Sequence, residues 1–68
     1  MKERRLLIQM RELKGLKQEE IAKLLRTTQQ NISMIENARR KPTAYQAKKL
    51  EVLFNTPMEN LFPDIFLM

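Results

Sequence analysis

Three carboxamides stand in a row at Gln29, Gln30 and Asn31. A carboxamide offers a hydrogen-bond donor and an acceptor side by side. The adenine edge in the major groove of DNA offers the matching pair at N6 and N7, and one good bidentate pair of this kind discriminates between bases by ~1–3 kcal/mol. Ser33 adds a hydroxyl two residues on, and Met34 adds a flexible apolar end that suits a thymine methyl or the flank of a core. Arg39, Arg40 and Lys41 follow as a basic stretch, a composition that suits phosphates and confers salt-dependent affinity. Taken singly, each of these residues also reads as solvated surface. Their order is the signal: a capping Thr28, the amides, Ile32 and Ile35 at a three-residue step, then the cations.

These residues must be carried by something small. The chain has 68 residues and reads as one domain over 1–68, a size that buries only about 60% of its unfolded surface. Thirteen Lys and Arg against eight acids leave a net charge of +5, which favours a polyanionic partner. Neither cysteine nor histidine occurs, so the usual zinc ligands and the commonest general base are missing. The carboxylates Glu3, Glu12, Glu19, Glu20, Glu36, Glu51, Glu59 and Asp64 are scattered and pair with no nucleophile. An enzyme, a cofactor and a metal are therefore not expected. No apolar run approaches the ~18 residues of a membrane span. The stretch after Lys2, Arg4 and Arg5 is broken by Gln9 and Arg11, unlike a signal peptide, so the chain is expected to stay where it is made.

The apolar residues recur at helical spacing, and the expected fold class is all-α, a compact bundle of about five short helices. The first runs from about Glu3 to Lys14, with Leu6, Leu7, Met10 and Leu13 on one side and Gly15 as a left-handed stop. The second spans about Gln18 to Leu25, with Ile21, Leu24 and Leu25 apolar and Ala22 small enough for close helix approach. Thr28 caps a third over about Gln29 to Glu36, with Ile32 and Ile35 inward. The helix-turn-helix unit is thus residues 18–36. After the basic loop, Thr43 caps a fourth helix to about Phe54, with Ala47, Leu50 and Phe54 inward and Asn55 as its left-handed stop. Thr56 then caps a short segment with Pro57 at its first position, and Leu61 and Phe62 close the core. The tail, residues 63–68, ends in Ile65, Phe66, Leu67 and Met68. It is expected to fold back on the domain or to meet a second subunit or a protein partner.

The run LKQEEIAKLLRTTQQNISMIENARRKPT, Leu16 to Thr43, resembles the Cro/C1-type helix-turn-helix family, also called the xenobiotic-response-element family. Within it, TTQQ followed by Ile-x-x-Ile-Glu-Asn is similar to the recognition helix of lambdoid phage repressors. The likeness extends back through Arg11 and Gly15 and forward to NTPMENLFP, so it covers nearly the whole chain. It is specific for the fold and for DNA binding, and not for the operator sequence.

The resemblance implies a lambda-repressor-like DNA-binding domain and a role for each matching residue. Gln29 and Gln30 match base-reading positions, with Asn31, Ser33 and Met34 on or beside that face. Gln18 matches a phosphate-binding glutamine at a helix N-terminus, and Thr28 a residue near a phosphate or a thymine methyl. Asn37 matches a backbone-contacting asparagine, and Arg39, Arg40 and Lys41 would lie along the phosphates. Arg11 and Glu36 match residues that pair between the first and third helices, and Arg11 could also lean toward a phosphate. The family often has glycine where this chain has Arg26 and Ala38, which puts the two loop geometries in question.

The function so implied is a transcriptional regulator, in particular a repressor binding double-stranded DNA as a homodimer, in the cytoplasm of a bacterial or phage-infected cell. The alternative is an antitoxin or partner-dependent DNA-binding subunit that uses the apolar tail.

Overall fold

The computed structural model describes residues 3–66 of the chain. Among the described residues are six α-helices: α1 (Arg5–Leu13), α2 (Gln18–Leu24), α3 (Gln29–Glu36), α4 (Ala44–Phe54), α5 (Met58–Leu61) and α6 (Pro63–Phe66). There is one more helix than the five expected, because the tail turns helical after Phe62. Helices α2 and α3 form the most intimate pair, α1 packs on α3 and α5, and α4 and α6 both lean on α5. Among the described residues no helix is long and apolar enough to cross a membrane.

One core joins all of this. Leu7, Ile21, Ala22, Leu25, Ile32, Ile35, Ala47, Leu50, Phe54, Leu61 and Phe62 are buried, with Leu6, Met10, Leu16, Leu53, Met58 and Ile65 packed around them. Two expected core residues are not there. Leu13 is 79% exposed and Leu24 is 49% exposed. At 100° per residue Leu13 lies about 120° round the helix from Leu7, past the edge of the buried stripe. Leu24 likewise lies on the outer edge of the stripe centred on Ile21 and Leu25.

The helix starts follow from side-chain chemistry. The Thr28 hydroxyl accepts from the Asn31 amide at 3.1 Å and opens α3. Thr43 accepts from the Gln46 amide at 3.1 Å while the Gln46 side chain accepts from the Thr43 amide at 3.0 Å, a reciprocal capping box. Thr56 does not cap α5 as expected. Its hydroxyl donates to the Phe54 carbonyl, Pro57 occupies the cap position, and the Glu51 carboxylate accepts from the Met58 amide at 3.3 Å instead. The hydrogen bond from Lys48, and after it the one from the Met58 amide, hold the Glu51 carboxyl below its ordinary pKa.

The helix ends share one device. Helices α1, α2, α3 and α4 stop at a left-handed residue, respectively Gly15, Arg26, Ala38 and Asn55. At each stop two successive amides turn back onto the last carbonyls: Gly15 and Leu16 onto Glu12 and Arg11, Arg26 and Thr27 onto Lys23 and Ala22, Ala38 and Arg39 onto Ile35 and Met34, and Asn55 and Thr56 onto Val52 and Glu51. This is the Schellman motif. The two loops without glycine therefore keep the glycine geometry, with φ of 58° at Arg26 and 60° at Ala38. A side chain in this region costs on the order of 1–2 kcal/mol. Ala38→Gly is accordingly expected to stabilise the domain by ~1 kcal/mol, and so to raise the melting midpoint by roughly 4–8 °C. A midpoint that fell or stood still would show that the strain at Ala38 is relieved locally.

Candidate nucleic-acid interface

The exposed face of α3 is set by what its other face must bury. Ile32 and Ile35 are inside the core. That turns Gln29 and Gln30, in the first helical turn, into solvent. Thr28 is exposed beside them while its hydroxyl serves the cap. Both glutamines are free to aim an amide at a base edge, because no hydrogen bond to another described residue engages either side chain.

Asn31 is placed differently. Its Nδ2 donates to the Thr27 hydroxyl at 3.0 Å, back across the turn from α2, and its buried Oδ1 has no partner among the described residues. Ser33 and Met34 are half-buried, one turn further along. Asn37 closes the helix, with its Nδ2 at 3.5 Å from the Ser33 hydroxyl. The amides and hydroxyl thus divide: Gln29 and Gln30 are open, whereas Asn31, Ser33 and Asn37 have local partners.

The left-handed Ala38 then throws the chain into the loop carrying Arg39, Arg40 and Lys41, all three exposed. None of the three forms an ion pair among the described residues. Arg26, in the turn before α3, is also exposed. The open amides are thereby flanked along the chain by exposed positive charge on the preceding turn and the following loop, of which Lys41 lies near the Asp64 carboxylate, an electrostatic footprint suited to a polyanion.

The scaffold behind α3 is polar and buried. Glu36 is only 3% exposed. Its carboxylate accepts from Arg11 Nε at 2.6 Å, from Arg11 Nη2 at 3.3 Å and from Gln18 Nε2 at 2.9 Å. Arg11 Nη1 also donates to the Leu16 carbonyl at 2.9 Å. One carboxylate therefore joins α1, the start of α2 and the end of α3. Gln18, matched above to a phosphate contact, is half-buried and engaged with Glu36; Arg11 is held by the same group.

The residue that sequence reasoning overlooked is Arg4. It is buried, with its guanidinium bound to Asp64, to the Ile35 and Arg40 carbonyls and against the Phe62 ring. The Asp64 carboxyl is held below its ordinary pKa, first by that hydrogen bond and then by nearby charge from Arg4 and Lys41. Nothing local in the sequence marks Arg4, which sits in a basic cluster and meets a partner 60 residues away. Of the apolar tail, Ile65 packs on the core and Phe66 stays 43% exposed, edge-on to Phe62 at 6.3 Å. Leu67 and Met68 lie outside the described residues.

A family model described as helix-turn-helix matches residues 7–61 of the chain. No curated protein and no solved structure matches it.

Proposed function

The chain belongs to the Cro/C1-type helix-turn-helix family of DNA-binding regulators, and from that premise we propose that it is a repressor binding a pseudo-palindromic operator as a homodimer. Helix α3 is the recognition helix. Gln29 and Gln30 read base edges, with Asn31, Ser33 and Met34 beside them. Arg39, Arg40 and Lys41 follow the phosphates, joined by Thr28, Asn37, Gln18 and Arg11 at the margins. The observation that carries this reading is the pairing of two open carboxamides on the first turn of α3 with a loop of unpaired cations directly after its last turn.

Asn31 takes part only by leaving Thr27. Its orphaned Oδ1 supports such a rotation, since a buried acceptor without a partner gains by reaching one. The dimer is supported by scale: a single small module covers only roughly 600–1,000 Å² of protein surface on DNA, and two recognition helices one turn apart, ~34–36 Å, double the reading. Helix α5 and Phe66 of the tail offer the surface for a second subunit. The same exposed Phe66 supports the second reading, in which a protein partner, as for an antitoxin, seats there.

Selection of bound sites from a random double-stranded pool at near-physiological salt tests the proposal. An enriched inverted repeat with half-sites one turn apart supports it. A single half-site removes the homodimer, and salt-sensitive binding without enrichment moves the weight to the partner-dependent reading. Two substitutions then separate the roles. Gln29→Ala is expected to relax base preference at one position with a loss of ~1–3 kcal/mol. Arg40→Ala is expected to weaken all sequences alike and to flatten the salt slope by about one. Identical behaviour of the two variants would contradict the division between reading and positioning residues.

A further inference from the structure

We infer that Arg4 is a positioning residue for DNA binding, one that fixes the basic loop relative to the end of the recognition helix by clasping both to α6. The inference rests on the reading of Arg39–Lys41 as phosphate contacts. Four observations carry it. Arg4 is 5% exposed in a chain whose other arginines of the loop and turn are open to solvent. Its Nη1 donates to the Ile35 carbonyl in the last turn of α3 at 2.6 Å and to the Arg40 carbonyl in the loop at 2.9 Å. Its Nε and Nη2 meet the two Asp64 oxygens at 3.1 and 2.8 Å. Its Cζ lies 5.3 Å from the centre of the Phe62 ring, and its own amide donates to the Glu36 carbonyl at 2.8 Å.

The chemistry explains why an arginine sits there. A guanidinium has five N–H donors in a rigid fork. Here the fork splits: one side closes on a carboxylate in the bidentate geometry it favours, and the other bridges two backbone carbonyls. A cation beside the last carbonyls of α3 is also favoured by the helix dipole. For stability alone the arrangement is poorly chosen: the Arg4 guanidinium is desolvated, whereas the Asp64 side chain is 50% exposed, so solvent screens the attraction between them. An apolar side chain, however, could not hold the Arg40 carbonyl. By gripping that carbonyl, Arg4 sets the point from which the side chains of Arg40 and its neighbours leave the loop. Lysine keeps the charge but has no fork, so it cannot hold both carbonyls and the carboxylate at once.

The test is a double-mutant cycle on the full chain, with affinity for a labelled mixed-sequence DNA duplex measured over a salt series. That probe needs phosphate contacts and no operator. Arg4→Lys is expected to weaken binding ~10-fold while the chain still melts cooperatively, and to flatten the salt slope by about one to two charges. Arg40→Ala, which weakens the wild type, is expected to have little further effect in the Arg4→Lys background, the non-additivity of residues that act together. Should Arg4→Lys fail to fold, Asp64→Glu, which keeps the net charge but displaces the carboxylate, takes its place in the cycle, with a smaller expected loss of ~3-fold because the carbonyl bonds remain. Additive effects, or a lowered melt with an unchanged salt slope, would overturn the clasp and leave Arg4 a structural residue. An Arg40→Ala variant that binds like the wild type would overturn the phosphate-contact reading beneath it, and the clasp with it.

Discussion

Glu36→Ala is expected to destabilise the domain by about 3 kcal/mol and to weaken DNA binding together with it. The substitution removes the acceptor of three hydrogen bonds, two from Arg11 and one from Gln18. Arg11 is left with the Leu16 carbonyl alone. Breaking a buried pair on one side costs about 3–5 kcal/mol, since the remaining charge stays desolvated without its counterion. The low end applies because the Arg11 side chain keeps 14% of its exposure and can recruit water. A domain of this length has roughly 3–10 kcal/mol in all, so the loss is a large share. Binding suffers separately, through geometry: α1, the start of α2 and the end of α3 lose their common anchor, and the open amides of α3 lose their fixed aim. Thermal melting by circular dichroism reads the first effect and a binding titration far below the melt reads the second. An unchanged melt with normal binding would sink the assignment. Replacing Arg11 and Glu36 together with apolar residues is expected to restore much of the stability but not the connection to Gln18.

Phe62→Ala is expected to cost about 3–5 kcal/mol, enough to leave much of the population unfolded. Phe62 has no exposed surface. It ends α5, its amide donates to the Met58 carbonyl at 2.7 Å, and its carbonyl accepts from Ile65 and Phe66. Its ring faces the Arg4 guanidinium on one side and the edge of Phe66 on another. Truncation therefore opens a cavity and exposes the buried cation of Arg4 to a void. Phe62→Leu retains most of the volume and is expected to cost less than about 1.5 kcal/mol. Chemical denaturation of the pair checks this. Equal midpoints for the alanine and leucine variants would mean that volume at this site is not what holds α6 down.

Much of this molecule was legible in one dimension because its signals are local. A cap acts over three residues, so Thr28 and Thr43 declared the starts of α3 and α4. A left-handed stop acts over one turn, so Gly15 and Asn55 declared the ends of α1 and α4. Helix α3, bounded by Thr28 and by Ile35-Glu36-Asn37, has the limits its sequence implied. Spacing was weaker evidence for burial. Leu13 and Leu24 keep the three- and four-residue steps yet face solvent, because periodicity defines a stripe and only the neighbouring helix decides which edge of it is covered.

The amino-acid sequence by itself determined the all-helical class, the helix-turn-helix and the open glutamines, since each depends on contacts within a turn or two of the chain. The structure added local features that no residue type announced: Arg26 and Ala38 take the left-handed form despite their side chains, Asn31 turns toward Thr27 four residues back, and α6 forms after Phe62. It alone revealed Arg4. Its four side-chain hydrogen bonds go to residues 31, 36 and 60 positions away, and a buried charge is tolerated only where such distant partners converge.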